Sequence, residues 1–332
     1  MIPRRLLFVS LVCSLLISLP TAQQVASQSP APAQGGVNTT TLKTPRGRVR
    51  IDLPNDMAAG DTISGTVIAE PSGKDEKEKQ KNADELNGYV IEVNSKHFPV
   101  SGGVIQKFVI PPTLARPPEI ILLDAKGNKV SSALLPMRPA PNTTTTTSFV
   151  IPQLGQSGNP ISIIGPFDGD SSNTKVQVGG VPAKVIAESP RNVIIETPGT
   201  VVGPSKIAVN ENGQQSTGNF RALKIDLTAP KTSLLKGEST ELHVEVQGLQ
   251  GITQPVPVQL QNQTPSNINL TGGNTQNIVI QPSQVPASGI FNWSTNITGV
   301  SSGGFVITGT LPSGTNGNRG DSKPATSPTP RL

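Results

Sequence analysis

The chain has 332 residues, of which 34% are hydrophobic, 15% charged and only 3% aromatic; it is apolar enough to fold, yet lacks the repeated long apolar runs of a polytopic membrane protein. Its 33 glycines and 32 prolines interrupt it too often for long helices, which leaves β-structure and loops. A formal charge of +5, thinly spread, excludes a concentrated basic surface for nucleic acid.

The chain opens with Arg4 and Arg5, an apolar-biased run from Leu6 to Leu19, and Pro20-Thr21-Ala22. This reads as a secretory signal peptide over residues 1–22, cut after Ala22. The run is shorter than the ~20 residues that cross a bilayer, and no second one follows, so no transmembrane span is expected. Cys13 is the only cysteine, and Val12 before it is a poor match to the small residue of lipoprotein processing. Once the leader is removed, disulfides, thiolate metal sites and a cysteine nucleophile are all excluded. Residues 23–44, mostly Gln, Ser, Pro, Ala and Thr, are expected to form a disordered stalk, since they cannot offset the entropy of ordering.

From 45 to 138 short β-prone runs alternate with turn residues: Val49–Leu53, Thr62–Ala69, Tyr89–Val93, Val104–Ile110, Ile120–Leu123 and Val130–Leu135. They predict a β-sandwich. Asp124 to Asn128 reads as a hairpin connection in which Gly127 or Asn128 takes a positive φ. Residues 74–85 carry four lysines and five acids without an apolar stripe, so they are expected to be an exposed insertion whose helix, if any, is solvated and marginal. Residues 139–148, Pro-Ala-Pro-Asn followed by a threonine run, read as a linker.

Residues 149–223 hold another closely spaced set of short strands: Ile161–Ile164, Lys175–Val178, Ala183–Ala187, Asn192–Glu196 and Lys206–Val209. Gly179-Gly180 supply a tight hairpin, and Phe167, Val176 and Val178 supply inward hydrophobes. The runs Ile161 to Phe167, Val176 to Ala183, Ile194 to Pro198, Gly203 and Ile207 to Gly213 together resemble an IPT/TIG domain. The resemblance implies an Ig-like sandwich of a kind found in secreted, surface and carbohydrate-associated proteins, in receptors and in transcription factors. It carries no common catalytic residue, so it transfers a fold and not an activity.

Residues 224–312 add strands at Thr240–Val246, Val256–Leu260, Ile278–Ile280, Gly289–Thr295 and Gly304–Thr310. Leu242, Val244 and Val246 share one face, and Glu241, His243 and Glu245 the other. This is read as a third, Ig-like sandwich. Residues 313–332 return to a tail composition and are expected to be disordered. The fold class is therefore all-β: tandem Ig-like β-sandwiches joined by flexible linkers, after a signal peptide.

Chemistry-bearing groups are few. His97 and His243 are the only histidines; His97 is expected in a turn and His243 on a solvated sheet face, where Glu241 and Glu245 would be its neighbours. Asp168-Gly-Asp170-Ser-Ser-Asn173 gathers oxygen donors as a calcium loop does, but lacks the closing acid of an EF-hand, and its residues are equally those of an ordinary turn. Acids elsewhere form no pair that the pattern places on one face. Val246 to Asn318 contains no charged residue and 18 Asn and Gln; such amides can bond sugar hydroxyls or merely face water. Trp293 and Phe291 alternate and are expected to point inward, as is Tyr89. Arg319-Gly320-Asp321 matches an integrin tripeptide too short to be informative, and Asn269-Leu-Thr271 and Asn292-Trp-Ser294 are glycosylation acceptors only in a host that uses them.

No catalytic, cofactor-binding or metal-ligating residue is assigned, and no cofactor. The composition points to an exported (secreted, periplasmic or cell-surface), non-catalytic protein of binding, adhesion or structure, its partner a protein or a glycan at the cell surface. The alternative is a carbohydrate-binding accessory protein, and a weaker one a hydrolase using carboxylates or His243 with Glu241 and Glu245.

Overall fold

The computed structural model describes residues 36–113, 117–135, 137 and 148–311. The proposed leader, most of the stalk, the threonine run of the linker, Arg319-Gly320-Asp321 and the tail lie outside these residues.

The first part contains β1 (Val37–Thr44), β2 (Gly47–Pro54), β3 (Thr62–Pro71), α1 (Glu76–Asn87), β4 (Val90–Val93), β5 (Lys96–Pro99), β6 (Val104–Val109), β7 (Glu119–Leu123) and β8 (Lys129–Leu134). Strands β1-β2-β3-β6 form one antiparallel sheet and β5-β4-β7-β8 another. One core joins them, with Leu42, Ile51, Ile63, Phe108, Ile91, Ile120 and Leu122 all buried. The tight connection at Gly127, with φ +83°, is the predicted hairpin.

Two expectations are corrected here. Residues 37–44 are not stalk: all eight pair with β2, because the threonines are β-branched, Leu42 is buried in the core and Thr39 Oγ1 donates to Asp52 Oδ1 at 2.8 Å. The polar average over residues 23–44 hides this run. Likewise the charged insertion, exposed over most of residues 74–85 as expected, forms a docked helix and not a marginal one. Asp75 caps it by accepting Glu78 N–H at 2.7 Å. Its inner face is held by Leu86, just past the charged run and fully buried, and by Asn82, whose amide donates to Ser72 O at 2.6 Å.

The second part consists of β9 (Leu154–Gln156), β10 (Pro160–Ile164), β11 (Thr174–Val178), β12 (Val181–Ser189), β13 (Asn192–Glu196), β14 (Gly203–Glu211) and β15 (Gln214–Thr228). Strand β12 serves two sheets. Residues 181–183 pair with β11, next to β14 and β15; residues 184–189, with an irregularity between Val185 and Ala187, pair with β13 and so with β10. Ile163, Val178, Val193, Ile195, Ile207 and Phe220 form the enclosed core.

The third part has β16 (Ser233–Leu234), β17 (Ser239–Gln247), β18 (Val256–Asn262), β19 (Ile268–Leu270), β20 (Thr275–Ile280), β21 (Phe291–Gly299), β22 (Gly303–Gly304) and β23 (Ile307–Thr310). A β15-β17-β21-β19 sheet faces a β20-β18-β23 sheet over Leu242, Val244, Val258, Leu260 and Ile297. The expected boundary at 223/224 falls inside β15. This strand pairs with β14 through residues 214–222 and with β17 through residues 224–228, so the two sandwiches share a strand with no linker between them.

Candidate functional site

The densest polar chemistry lies where the first and second sandwiches meet. Strand β3 bulges between Ile63 and Gly65, and Ser64 at the bulge pairs with Glu188 of β12. Ser64 Oγ donates to Gly169 O at 2.8 Å and accepts N–H groups from Lys107 at 3.2 Å and Ser171 at 3.3 Å. Gly169, with φ +79°, has no room for a side chain, since a Cβ there would lie 1.9 Å from Thr62 O. At the end of the β12–β13 hairpin Arg191 reaches back across the junction. Its Nη1 donates to Asp61 Oδ1 at 3.1 Å, its Nη2 to Asp56 O at 2.6 Å and also to Asp61 Oδ2, and its Nε to Asp56 Oδ2 at 3.3 Å. Ser189 and Asn192 bond the same Asp56 oxygen. Burial lowers the affinity of this guanidinium for its proton, but Asp61 and Asp56 more than compensate and the pKa rises.

Beside this clamp, Thr174 at the head of β11 stands between two buried acids. Its Oγ1 lies 2.6 Å from Glu188 Oε2 and 2.5 Å from Glu211 Oε2. Glu188 Oε1 accepts Gly169 N–H at 3.0 Å, and Glu211 Oε1 accepts Asp168 N–H at 3.0 Å. Burial, opposed by the Thr174 bond and reinforced by the charges of Glu211 and Asp168, pushes Glu188 up to about 8. Burial also raises Glu211, against the bonds from Thr174 and Asp168.

Carboxylate oxygens of Asp168, Glu188 and Glu211 come within 4.8 Å of one another, a donor set of the hard type that divalent cations take. The Asp168–Asn173 loop itself is closed by turn bonds. Asp168 Oδ2 takes the Asn173 and Asn212 amides at 2.6 and 2.9 Å, and its Oδ1 takes Asp170 N–H at 2.7 Å. Burial raises Asp168, yet these bonds outweigh it and leave its pKa lowered. Asp170 Oδ1 bonds Ser172 twice and Gln106 once, and Lys107 Nζ sits 3.5 Å from its Oδ2.

Glu188 and Glu211 correct the expectation that no acids pair. They are 23 residues apart on β12 and β14, strands that are not hydrogen-bonded neighbours but both flank β11. No spacing rule could have joined them; the one sequence signal was a Glu in each of two strands otherwise apolar on their inward face.

The other singled-out residues are placed as follows. His243 lies on the exposed face of β17 with Nε2 3.6 Å from Glu241 Oε2, while Glu245 instead accepts the Gln247 amide at 2.6 Å. His97 is in strand β5 and not in a turn, because Lys96–Pro99 pairs with β4; its Nε2 is 3.0 Å from Glu92 Oε2. Tyr89 is buried, and Trp293 and Phe291 pack against the third core from β21. Across β18 and β20 the Gln259 amide donates to Asn277 Oδ1 at 3.1 Å on the exposed sheet face. An open groove at the second junction is lined by Gln153, Leu154, Arg221 and the Gly251–Pro257 loop; there Arg221 Nη1 donates to Gly248 O and Gln250 O, each at 2.7 Å.

Residues 145–222 match the IPT/TIG domain model, and the structure encloses an Ig-like sandwich over its described residues, 148–222. No curated protein matches the chain. Among solved structures, the chain is similar to SGBP-B of the mixed-linkage glucan utilization locus of Bacteroides ovatus, solved with a mixed-linkage heptasaccharide, at 10% identity and TM-score 0.22, over 76% of this chain and 72% of that one. It is also similar to SGBP-B from a complex xyloglucan utilization locus in Bacteroides uniformis, at 10% identity and TM-score 0.26, over 85% and 98% of the two chains. The plexin A4 extracellular region aligns at 12% identity and TM-score 0.24 with 93% of this chain, which spans only 26% of that region. Among the described residues no helix is long and apolar enough to cross a membrane.

Proposed function

We propose that the chain, with an IPT/TIG segment at its centre, is exported through a cleaved leader at residues 1–22 and acts at the cell surface or outside the cell in binding, adhesion or structure, without catalysis. It comprises sandwiches over about 45–138, 149–223 and 224–312, the first extended by β1. The observation that carries this reading is the continuity of the array. Strand β15 runs unbroken through two sandwiches, and Arg191 ties the second to the first. Such an array holds its outer loops and sheet edges at set positions for contact. Glu188 and Glu211, the acids whose pKa values are raised, are buried and do not line the open groove. Fractionation of native cells, with a pull-down from their envelope, tests this: the processed chain is expected in the envelope or medium with bound material, and a cytoplasmic, unprocessed chain would refute export.

The neutral, amide-rich face of the third sandwich supports a second reading, as a carbohydrate-binding accessory protein. A glycan array tests it, and no signal above background removes it. Trp293 packs inward, so Trp293→Ala is expected to cost about 2–3 kcal/mol of stability by denaturant unfolding while leaving any glycan affinity unchanged.

A further inference from the structure

Arg221 stands where two open grooves adjoin. One, of about 390 Å³, reaches the Gly251–Pro257 loop; the other, of about 590 Å³, follows Thr217–Phe220, and both are lined by Gln153 and Arg221. Their sizes are ordinary for ligand sites. The arginine is firmly held. Its backbone N–H donates to Gln153 O at 2.9 Å, where β9 pairs with β15, and Nη1 bonds both Gly248 O and Gln250 O. The turn that presents these carbonyls is itself fixed, since at Gly248, with φ +89°, a Cβ would lie 2.5 Å from Ala222 O. Three N–H groups, on Nε and Nη2, are then left for a ligand. No carboxylate neutralises the cation. Arg46, Arg48, Arg50 and Arg191 each pair with an Asp or Glu, whereas among the described residues Arg221 pairs with none, and burial lowers its pKa unopposed. It is also the only charged side chain in the lining of either groove.

We propose that these adjoining grooves bind an acidic polysaccharide, with a uronate carboxylate lying across Nε and Nη2 of Arg221 and the hydroxyls of neighbouring sugars meeting the neutral side chains on either side. A half-buried cation without a counter-ion favours an anion, and the planar fork matches a carboxylate with two parallel bonds. Thr253 and Gln254 in one groove, and Ser205, Thr217 and Asn219 in the other, both donate and accept, as sugar hydroxyls do. Pro255 and Pro257 add apolar ring surface for the C–H faces of the sugars. A ligand that occupies both grooves must be a chain, because they have only Gln153 and Arg221 in common. An acidic peptide would draw its affinity from side-chain pockets or a paired sheet edge, whereas this lining offers amides and hydroxyls around one cation. The inference rests on the reading of the chain as a carbohydrate-binding protein and adds the charge and the seat of its ligand.

The test is titration calorimetry of the full chain with polygalacturonate, alginate and hyaluronate, beside fully methyl-esterified polygalacturonate and poly-L-glutamate. Saturable binding to at least one of the three polyuronates is expected, weakening as salt is raised, with none to the ester, whose backbone is the same but uncharged. Arg221→Gln is expected to lower the affinity at least about tenfold, and Arg221→Lys, which keeps the charge and loses the fork, to recover only part of it. Should Arg221→Gln not fold, Gln254→Glu sets a carboxylate in the lining from an exposed loop position; it is expected to weaken binding by a similar factor while the melting temperature stays native. Failure of all three polyuronates to bind, native affinity in Arg221→Gln or in its substitute Gln254→Glu, or equal binding of the ester overturns the proposal. Poly-L-glutamate bound as tightly as the polyuronates overturns it in favour of an acidic peptide. A neutral glycan bound equally by the native chain and Arg221→Gln, with no polyuronate bound, would leave a carbohydrate-binding role standing and remove this site from it.

Discussion

Arg191→Ala is expected to destabilise the protein by about 3–5 kcal/mol and to separate the melting of the first sandwich from that of the rest. Most exposed ion pairs are worth little, because water screens them. This one differs in its burial and geometry: the Arg191 side chain is 22% exposed and those of Asp56 and Asp61 are 16% and 11%, and the planar fork engages two carboxylates and a backbone carbonyl at once. Truncation would strand two acids of the first sandwich against the second with no cation between them. Arg191→Lys keeps the charge and loses the fork, so it is expected to recover only part of the loss. Differential scanning calorimetry reads both effects. A single transition within about 1 kcal/mol of the native value would show that the clamp does not hold the junction.

Gly169→Ala is expected to cost about 3–5 kcal/mol, and its comparison with Gly180→Ala identifies the cause. The two glycines share a left-handed backbone, with φ of +79° and +80°. At Gly180 a methyl group meets nothing within 4 Å, so Gly180→Ala carries only the backbone strain, about 1–2 kcal/mol. At Gly169 the same methyl meets Thr62 O, a backbone atom of the first sandwich that cannot rotate away. The excess of the first variant over the second, measured by denaturant unfolding, is thus the cost of prising the sandwiches apart. Equal losses would place the effect in the turn alone.

The sequence by itself determined the elements and their order. Alternation along Thr240 to Val246 settled which face of β17 is buried, Gly179-Gly180 marked the hairpin between β11 and β12, and the IPT/TIG-like segment came out with nearly the bounds that the family model matches. These signals are local, fixed by the two-residue period of a strand and by the φ that a turn demands. Where averaging blurred the signal the reading failed: β1 was lost in a polar stretch, and the anchor of α1, Leu86, sits one residue beyond the charged run that seemed to define it. Only the tertiary structure decided how the sandwiches join and where the unusual chemistry lies. Glu188, Glu211 and Thr174 meet because β11 lies between β12 and β14, and Arg191 meets Asp56 and Asp61 from more than a hundred residues away. A buried charge is a property of what surrounds a group in space, and pattern along the chain carries no record of neighbours that folding brings together from separate sheets.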